Sequence, residues 1–157
     1  MIRELIFIIV VYFLIVFILP LFLFPNHLFK TRIRKTQFLK KFAKKFKGNS
    51  KEKTLRNIYD YIITNYDGFN QAYNLFFLPY KHFYTSVERI VLKKQFLPCH
   101  VHNLVLITLA INTGQFQEKD FERREVMGIT GVLHQYVLVK LNTKTVKVDS
   151  FYKIYEQ

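Results

Sequence analysis

The feature that most constrains this chain is an uninterrupted apolar run near its N-terminus. Residues 5–24 are 20 consecutive residues without a charge. With a rise of about 1.5 Å per residue, a helix of this length spans the roughly 30 Å hydrocarbon core of a bilayer. A cleaved signal peptide is the alternative, but the run is too long and no small-residue cleavage site follows it. Residues 1–28 are therefore predicted to form a retained, single-pass transmembrane anchor.

The positive charge of the chain lies directly behind this anchor. The 157 residues carry a formal net charge of +13. Residues 30–53 hold 11 basic side chains and only Glu52 as an acid, which leaves +10 in this short segment. Because Lys and Arg beside a membrane span stay on the cytoplasmic side, this distribution predicts an external N-terminus and a cytoplasmic C-terminal domain.

Residues 29–50 are predicted to form a basic amphipathic segment next to the membrane. Phe38, Phe42 and Phe46 recur every four residues and form one apolar stripe among the lysines. Such a helix lies in the membrane interface, where each Lys or Arg gains about 1 kcal/mol from anionic lipid headgroups. Nucleic-acid binding is the competing interpretation. The position of the segment directly after a membrane helix favours lipid binding over nucleic-acid binding. The expected partner of this segment is therefore the lipid bilayer.

Residues 51–157 have the pattern of one small α+β domain. Helical periodicity comes first and includes a buried helix that opens at Pro98-Cys99 and closes at Gly114. Alternating segments follow at 121–128, 132–141 and 145–151, and they predict a three-stranded antiparallel sheet. About 100 residues are enough for one small core.

Three residues of this domain have the order and context of a thiol hydrolase. Cys99, the only cysteine, opens a helix, where free backbone N–H groups stabilise a thiolate. His134 lies near the start of the central strand, and Asp149 ends the next one. A two-residue turn at Asn142-Thr143 places Asp149 opposite either Tyr136 or His134, on the face of His134 and about 5–8 Å from it. Cys99 is then the nucleophile, His134 the proton shuttle and Asp149 the group that orients the imidazole.

Each of these residues also has a purely structural interpretation when it is taken alone. A lone cysteine is usually an inert buried hydrophobe, and a single histidine is usually a satisfied structural residue. Asp149 beside Ser150 also fits a turn. The order and spacing of the three residues favour the catalytic interpretation over these three independent ones.

The stretch 86–152 resembles the core of the transglutaminase-like superfamily, relatives of papain-type cysteine peptidases. Val126-Met127-Gly128 matches the family's V-x-G strand, His134-Gln135-Tyr136-Val137-Leu138-Val139 its His-Ala-Trp-Val-Glu-Val strand, and Val148-Asp149-Ser150 its Val-Asp-Pro end. The resemblance implies a papain-like fold, with the cysteine helix packed on the sheet. It also implies a Cys-His-Asp hydrolase or acyltransferase that acts on peptide or amide bonds of a protein or peptide substrate, without a cofactor.

The chain departs from the family pattern at several positions. It has no Trp, so Tyr136 takes the place of the family's aromatic residue after the histidine. Ser150 replaces Pro, and Pro98 precedes the cysteine in place of the usual Gly. These departures leave open a catalytically inactive interaction module at the membrane. Gln95, Asn103 and Tyr136 are candidate supporting residues for the site.

A third interpretation is a metal-binding or nucleic-acid-associated membrane protein. Cys99, His100, His102 and His134 could together supply four zinc ligands. Their spacing matches no common zinc signature, so the sequence predicts no metal.

The apolar pattern of the strands raises one geometric difficulty. The richer apolar face carries Leu133, Val137, Val139, Val146 and Val148, and it is opposite to His134. If the cysteine helix packs on that face, His134 points away from Cys99. The triad then requires the helix on the His134 face, or a bulge near His134.

Overall fold

A computed structural model describes residues 2–128 and 131–156 of the chain. It begins with a helix over Ile2–Leu23 that is long and apolar enough to cross a membrane and whose apolar side chains are mostly exposed. The helix contains a π-helical turn at Leu14–Ile18, directly before Pro20. Because proline has no N–H to donate to the preceding turn, a local change in hydrogen-bond pattern at this point has a clear cause.

The helices of the remaining chain precede the main sheet. They span Gln37–Ala43, Lys51–Asn65, Asn74–Phe77, Val87–Ile90 and Cys99–Asn112. The hydroxyls of Thr36 and Ser50 cap the first two, each accepting a hydrogen bond from the backbone N–H three residues on. Between the helices, β1 (Tyr66–Asp67) pairs in parallel with β2 (Gln95–Phe96) and so fixes the segment that leads into the cysteine helix.

The main sheet is antiparallel and has four strands in the order β3-β4-β5-β6, one more than predicted. They are β3 (Phe121–Met127), β4 (Leu133–Lys140), β5 (Thr145–Asp149) and β6 (Ile154–Glu156). The three-strand prediction missed β6 because it has only three residues. The chain also reverses direction between β5 and β6 at Lys153, which has a φ of 60°, and the sequence has no Gly or Asn at this position to indicate a turn. The predicted α+β class and the hairpin turn are confirmed, since Val137 pairs with Val148 and Val139 with Val146.

The basic segment packs against this domain. Leu39 and Ala43 are fully buried and join the same core as the cysteine helix and the sheet, and Phe42 and Phe46 pack against that core. The lysines of the segment are exposed: Lys40, Lys41, Lys44, Lys45 and Lys47. Residues 29–50 therefore contribute to the domain core as well as presenting a basic surface.

The cysteine helix packs on the apolar face of the sheet, the face opposite to His134. All of its residues are buried, and Val101, Leu104 and Val105 share a core with Val137 and Val139. The pairing of β3 with β4 runs without a break from Met127–Leu133 to Phe121–Val139, so there is no bulge at His134. The helix is therefore not on the His134 face, and β4 has no bulge at His134 in its pairing with β3. Cys99 and His134 approach each other in another way.

Candidate active site

Cys99 lies at the first position of a buried helix, at the end of the sheet where β4 begins and β5 ends. Pro98 is extended, and its carbonyl accepts hydrogen bonds from the N–H groups of Val101 and His102, both at 3.0 Å. The first N–H groups of a helix have no partner within the helix, and those of Cys99 and His100 are at the helix end that carries the thiol. The cysteine is only 8 % exposed.

His134 is held between a carboxylate and the thiol. Its Nε2 donates to Oδ2 of Asp149 across 2.6 Å, and the side chain of Cys99 lies close enough to the same imidazole to raise its pKa. Because Nε2 is engaged by the carboxylate, Nδ1 is the ring atom left for the thiol. The other carboxylate oxygen of Asp149 accepts from the backbone N–H of Tyr152 at 3.2 Å. The structure thus brings the three predicted catalytic residues together, with His134 hydrogen-bonded to Asp149 and close to Cys99.

This arrangement shows how the triad forms without a bulge. His134 and Gln135 are consecutive residues of β4 and both are buried, as are Val148 and Asp149 of β5. Both faces of the sheet are therefore covered at this end, one by the cysteine helix and the other by the turn after β5. Because the helix starts at this end of the sheet, the side chain of Cys99, its first residue, approaches the imidazole past the end of β4.

The surroundings of His134 hold a positive charge on its ring. Burial alone lowers the pKa of an imidazole. The hydrogen bond with Asp149, the nearby Cys99 side chain and the negative charges of both groups outweigh burial and raise the pKa of His134 from 6.5 to about 9. At neutral pH the ring is accordingly an imidazolium, with both nitrogens as donors.

Aromatic residues after β5 form the roof over the imidazole. The ring of Tyr152 lies 4.5 Å from that of His134, and the ring of Phe151 lies 5.6 Å from it. Tyr136, a predicted supporting residue, lies elsewhere, with Nζ of Lys147 5.5 Å above its ring. Phe151 and Tyr152 were not predicted, because the direction in which their side chains point depends on the turn to β6.

Gly128 leaves room for this aromatic roof. A Cβ at this position would lie 2.9 Å from Oη of Tyr152, 3.0 Å from the carbonyl oxygen of Val132 and 3.2 Å from Cβ of His134. Because these distances are shorter than ordinary contacts, a larger residue would displace the imidazole or the roof. The glycine of the Val126-Met127-Gly128 pattern thus has a packing reason.

Cys99 and His134 both line a cleft of about 420 Å³. Ligand sites of small molecules commonly have volumes of several hundred Å³. His82 and His100 also line the cleft, together with side chains of the N-terminal helix. The two predicted catalytic side chains are therefore buried residues in the wall of a cavity of substrate size.

Three histidines near Cys99, namely His82, His100 and His102, are neutral and engaged with the protein. Burial lowers the pKa of His82 and of His102 to about 4, and it lowers the pKa of His100 well below its ordinary range. Nε2 of His100 donates to the carbonyl of His82 at 2.9 Å, whereas His102 donates to the carbonyl of Asp67 and accepts from Ser150. Within residues 2–128 and 131–156 no group of three or more His, Cys, Asp or Glu side chains is placed to hold a metal ion. The structure thus does not assemble the four-ligand zinc alternative.

Asn103 and Gln95 occupy different places. The amide of Asn103 donates to the backbone carbonyl and to Oε1 of Gln135, at 2.9 and 3.1 Å, and so ties the cysteine helix to β4 one turn beyond the thiol. Gln95 lines a separate cavity beside Thr85 and Arg89. A buried lysine, Lys81, was not predicted; its Nζ donates to the carbonyl of Phe96 at 2.9 Å.

Comparison with known proteins gives no relative for this chain: no protein-family model, no curated protein and no solved structure matches it. The functional argument therefore rests on the geometry of the site.

Proposed function

We propose that the chain is a membrane-anchored, transglutaminase-like cysteine hydrolase or acyltransferase that acts on peptide or amide bonds through Cys99, His134 and Asp149. The observation that carries the proposal is the position of His134, which is hydrogen-bonded to Asp149 at 2.6 Å and lines the same cleft as Cys99. This order of nucleophile, imidazole and carboxylate is the arrangement that cysteine acyl transfer requires.

The chemistry follows from the charges in this chain of residues. An imidazolium beside the thiol favours the thiolate–imidazolium pair, the reactive form of a cysteine nucleophile. The sulfur forms a bond to the carbonyl carbon of the substrate, and the N–H groups of Cys99 and His100 stabilise the oxyanion at the helix start. His134 then gives its proton to the leaving amine as the C–N bond breaks.

The second half of the reaction releases the acyl group. Water or another amine attacks the thioester, and His134 takes up its proton. The carbon–sulfur bond breaks, the acid or the new amide leaves, and the thiolate–imidazolium pair is restored. Asp149 holds the ring in one orientation and stabilises its positive charge throughout.

A catalytically inactive module with the same fold is the second candidate. The low exposure of Cys99 and His134, 8 % and 4 %, is the observation that favours it. The two functions differ in the reactivity of the thiol, because only an activated cysteine is alkylated rapidly at neutral pH.

The test is the rate at which iodoacetamide alkylates the full chain in detergent at pH 7, followed by intact mass. We expect Cys99 to react about 10-fold faster than a free thiol, which is only a few per cent thiolate at this pH. His134→Ala should remove most of this advantage. His27→Ala is the matched control, since it removes an imidazole from the same cleft. A wild-type rate at or below that of a free thiol would favour the inactive module.

A further inference from the structure

One wall of the catalytic cleft is formed by the N-terminal helix that is apolar enough to cross a membrane. Tyr12, Ile15, Val16 and Pro20 of that helix, and Phe24 directly after it, line the same cavity as Cys99 and His134. Their spacing places them on one side of the helix, along about 12 Å of its axis from Tyr12 to Pro20. The cleft therefore extends from the thiol along the membrane segment.

This wall suits a hydrocarbon chain better than a peptide backbone. A peptide in the cleft would need partners for its N–H and C=O groups, and burying them unpaired is costly. Aliphatic side chains such as Ile15 and Val16 offer no partners, whereas an alkyl chain needs none. The polar groups of the cleft lie at its other end, where Cys99 and His134 meet.

Exposed apolar side chains lie next to the residues that line the cleft. Met127 is 65 % exposed and pairs with Leu133, which is a lining residue. Phe83 is 53 % exposed, and its ring lies 5.6 Å from that of Phe24. An apolar rim of this kind is expected where a cleft opens towards the acyl region of a bilayer rather than towards water.

We propose that the acyl donor of this site is a membrane amphiphile, in which a long hydrocarbon chain is joined through an amide or an ester and lies along the N-terminal helix. This inference rests on the function proposed above and specifies its substrate class. The carbonyl carbon reaches Cys99, and a thioester forms as the C–N or C–O bond breaks and His134 protonates the leaving amine or alcohol. Attack of water on the thioester then releases a fatty acid and regenerates the thiol.

The experiment compares two alkylating probes that differ only in chain length. The full chain in phosphatidylcholine vesicles is treated with iodoacetamide or with N-hexadecyl iodoacetamide, and modification of Cys99 is followed by intact mass. Val16→Trp fills the apolar wall, and it should slow the hexadecyl probe about 10-fold while changing the iodoacetamide rate by less than about twofold. Ile15→Trp, which fills the cavity from the neighbouring position, should give the same selective loss.

Val10→Trp is the matched control. Val10 is 50 % exposed on the same helix and is not among the residues that line the cleft, so this variant should leave both rates unchanged. Because all variants share one membrane, partition of the long probe into lipid cancels from the comparison. Equal rates of reaction with the hexadecyl probe for Val16→Trp and Val10→Trp would overturn the inference. Equal slowing of both probes by Val16→Trp would also overturn it. An unreactive Cys99 in the wild type would instead refute the proposed function.

Discussion

The His134–Asp149 pair makes the stability of the protein depend on pH. The pKa of His134 rises from 6.5 in the unfolded chain to about 9 in the folded one, so the folded state binds the proton more tightly. The stability that this supplies is fully present below pH 6.5 and is lost as the pH rises through about 9. We expect the free energy of unfolding to fall across this window by up to ~3 kcal/mol, measured by thermal unfolding in detergent.

Asp149→Asn is the control for this pH dependence. The variant keeps the shape of the carboxylate but loses its charge, so the buried imidazole stays neutral and the fall between pH 6.5 and 9 should become much shallower. His82 and His102, with pKa values of about 4, are neutral across this window and contribute nothing to it. A wild-type stability that is constant or rises between pH 6.5 and 9 would contradict the expected charge on His134.

At the residue scale, the sequence predicted the chain of polar groups better than the aromatic roof. Cys99, His134 and Asp149 could be predicted because a helix start and a hairpin register have fixed geometry. The roof could not, because Tyr152 reaches His134 through a turn whose direction depends on Lys153 in a positive-φ conformation. Tyr136 lies two residues after the histidine, on the same face of β4, but its ring contacts Lys147 of β5.

At the scale of elements, the basic segment can be tested as part of the folded core. Leu39 is fully buried, whereas its neighbour Phe38 is 42 % exposed. Leu39→Ala should lower the free energy of unfolding by about 2–5 kcal/mol through the cavity it leaves. Phe38→Ala should change it by about 0.5 kcal/mol, as is usual at the surface. The comparison uses thermal or chemical unfolding in detergent, and equal effects of the two variants would show that the segment does not pack on the domain.

The elements also show where reasoning from sequence pattern reaches its limit. Strong periodicity predicted the cysteine helix and three strands, but the three residues of β6 are too few to give a pattern. The Phe stripe predicted the amphipathic segment but not that Leu39 and Ala43 enter the core, since helix periodicity does not identify what a face packs against. The expectation that His134 points away from Cys99 assumed that a helix contacts a strand only through the face on which it packs. Because the cysteine helix starts at the end of the sheet, its first residue can approach His134 from that end.

At the scale of the whole molecule, the N-terminal helix lines the cleft of Cys99 and His134 as well as being long enough to cross a membrane. This could not be predicted from the sequence, because an all-apolar run has no periodicity from which an inward face could be identified. If the domain is cytoplasmic, as the charge distribution predicts, the C-terminal half of the helix, which carries Val16 and Pro20, places the thiol at the inner leaflet. Orientation in the membrane thus decides which lipids reach Cys99.

The orientation is testable through the exposed basic residues that follow the helix. We expect the C-terminal domain on the cytoplasmic side, because a dense group of lysines close behind a span is retained there. In bacterial cells that express the full chain with a C-terminal epitope, protease should remove the epitope in inside-out vesicles and spare it in right-side-out ones. Changing five exposed basic residues within about 20 residues of Leu23 to glutamine should give a mixed orientation: Lys30, Arg32, Arg34, Lys35 and Lys40.

The matched control changes five exposed lysines that are far from the helix in sequence: Lys93, Lys94, Lys119, Lys140 and Lys153. It removes the same amount of charge, but the positive-inside effect acts only within about 15–20 residues of a span, so the orientation should not change. Protection of the epitope in inside-out vesicles of the wild type would reverse the topology. The cleft would then face the outer leaflet, and its acyl donor would be a lipid of that leaflet.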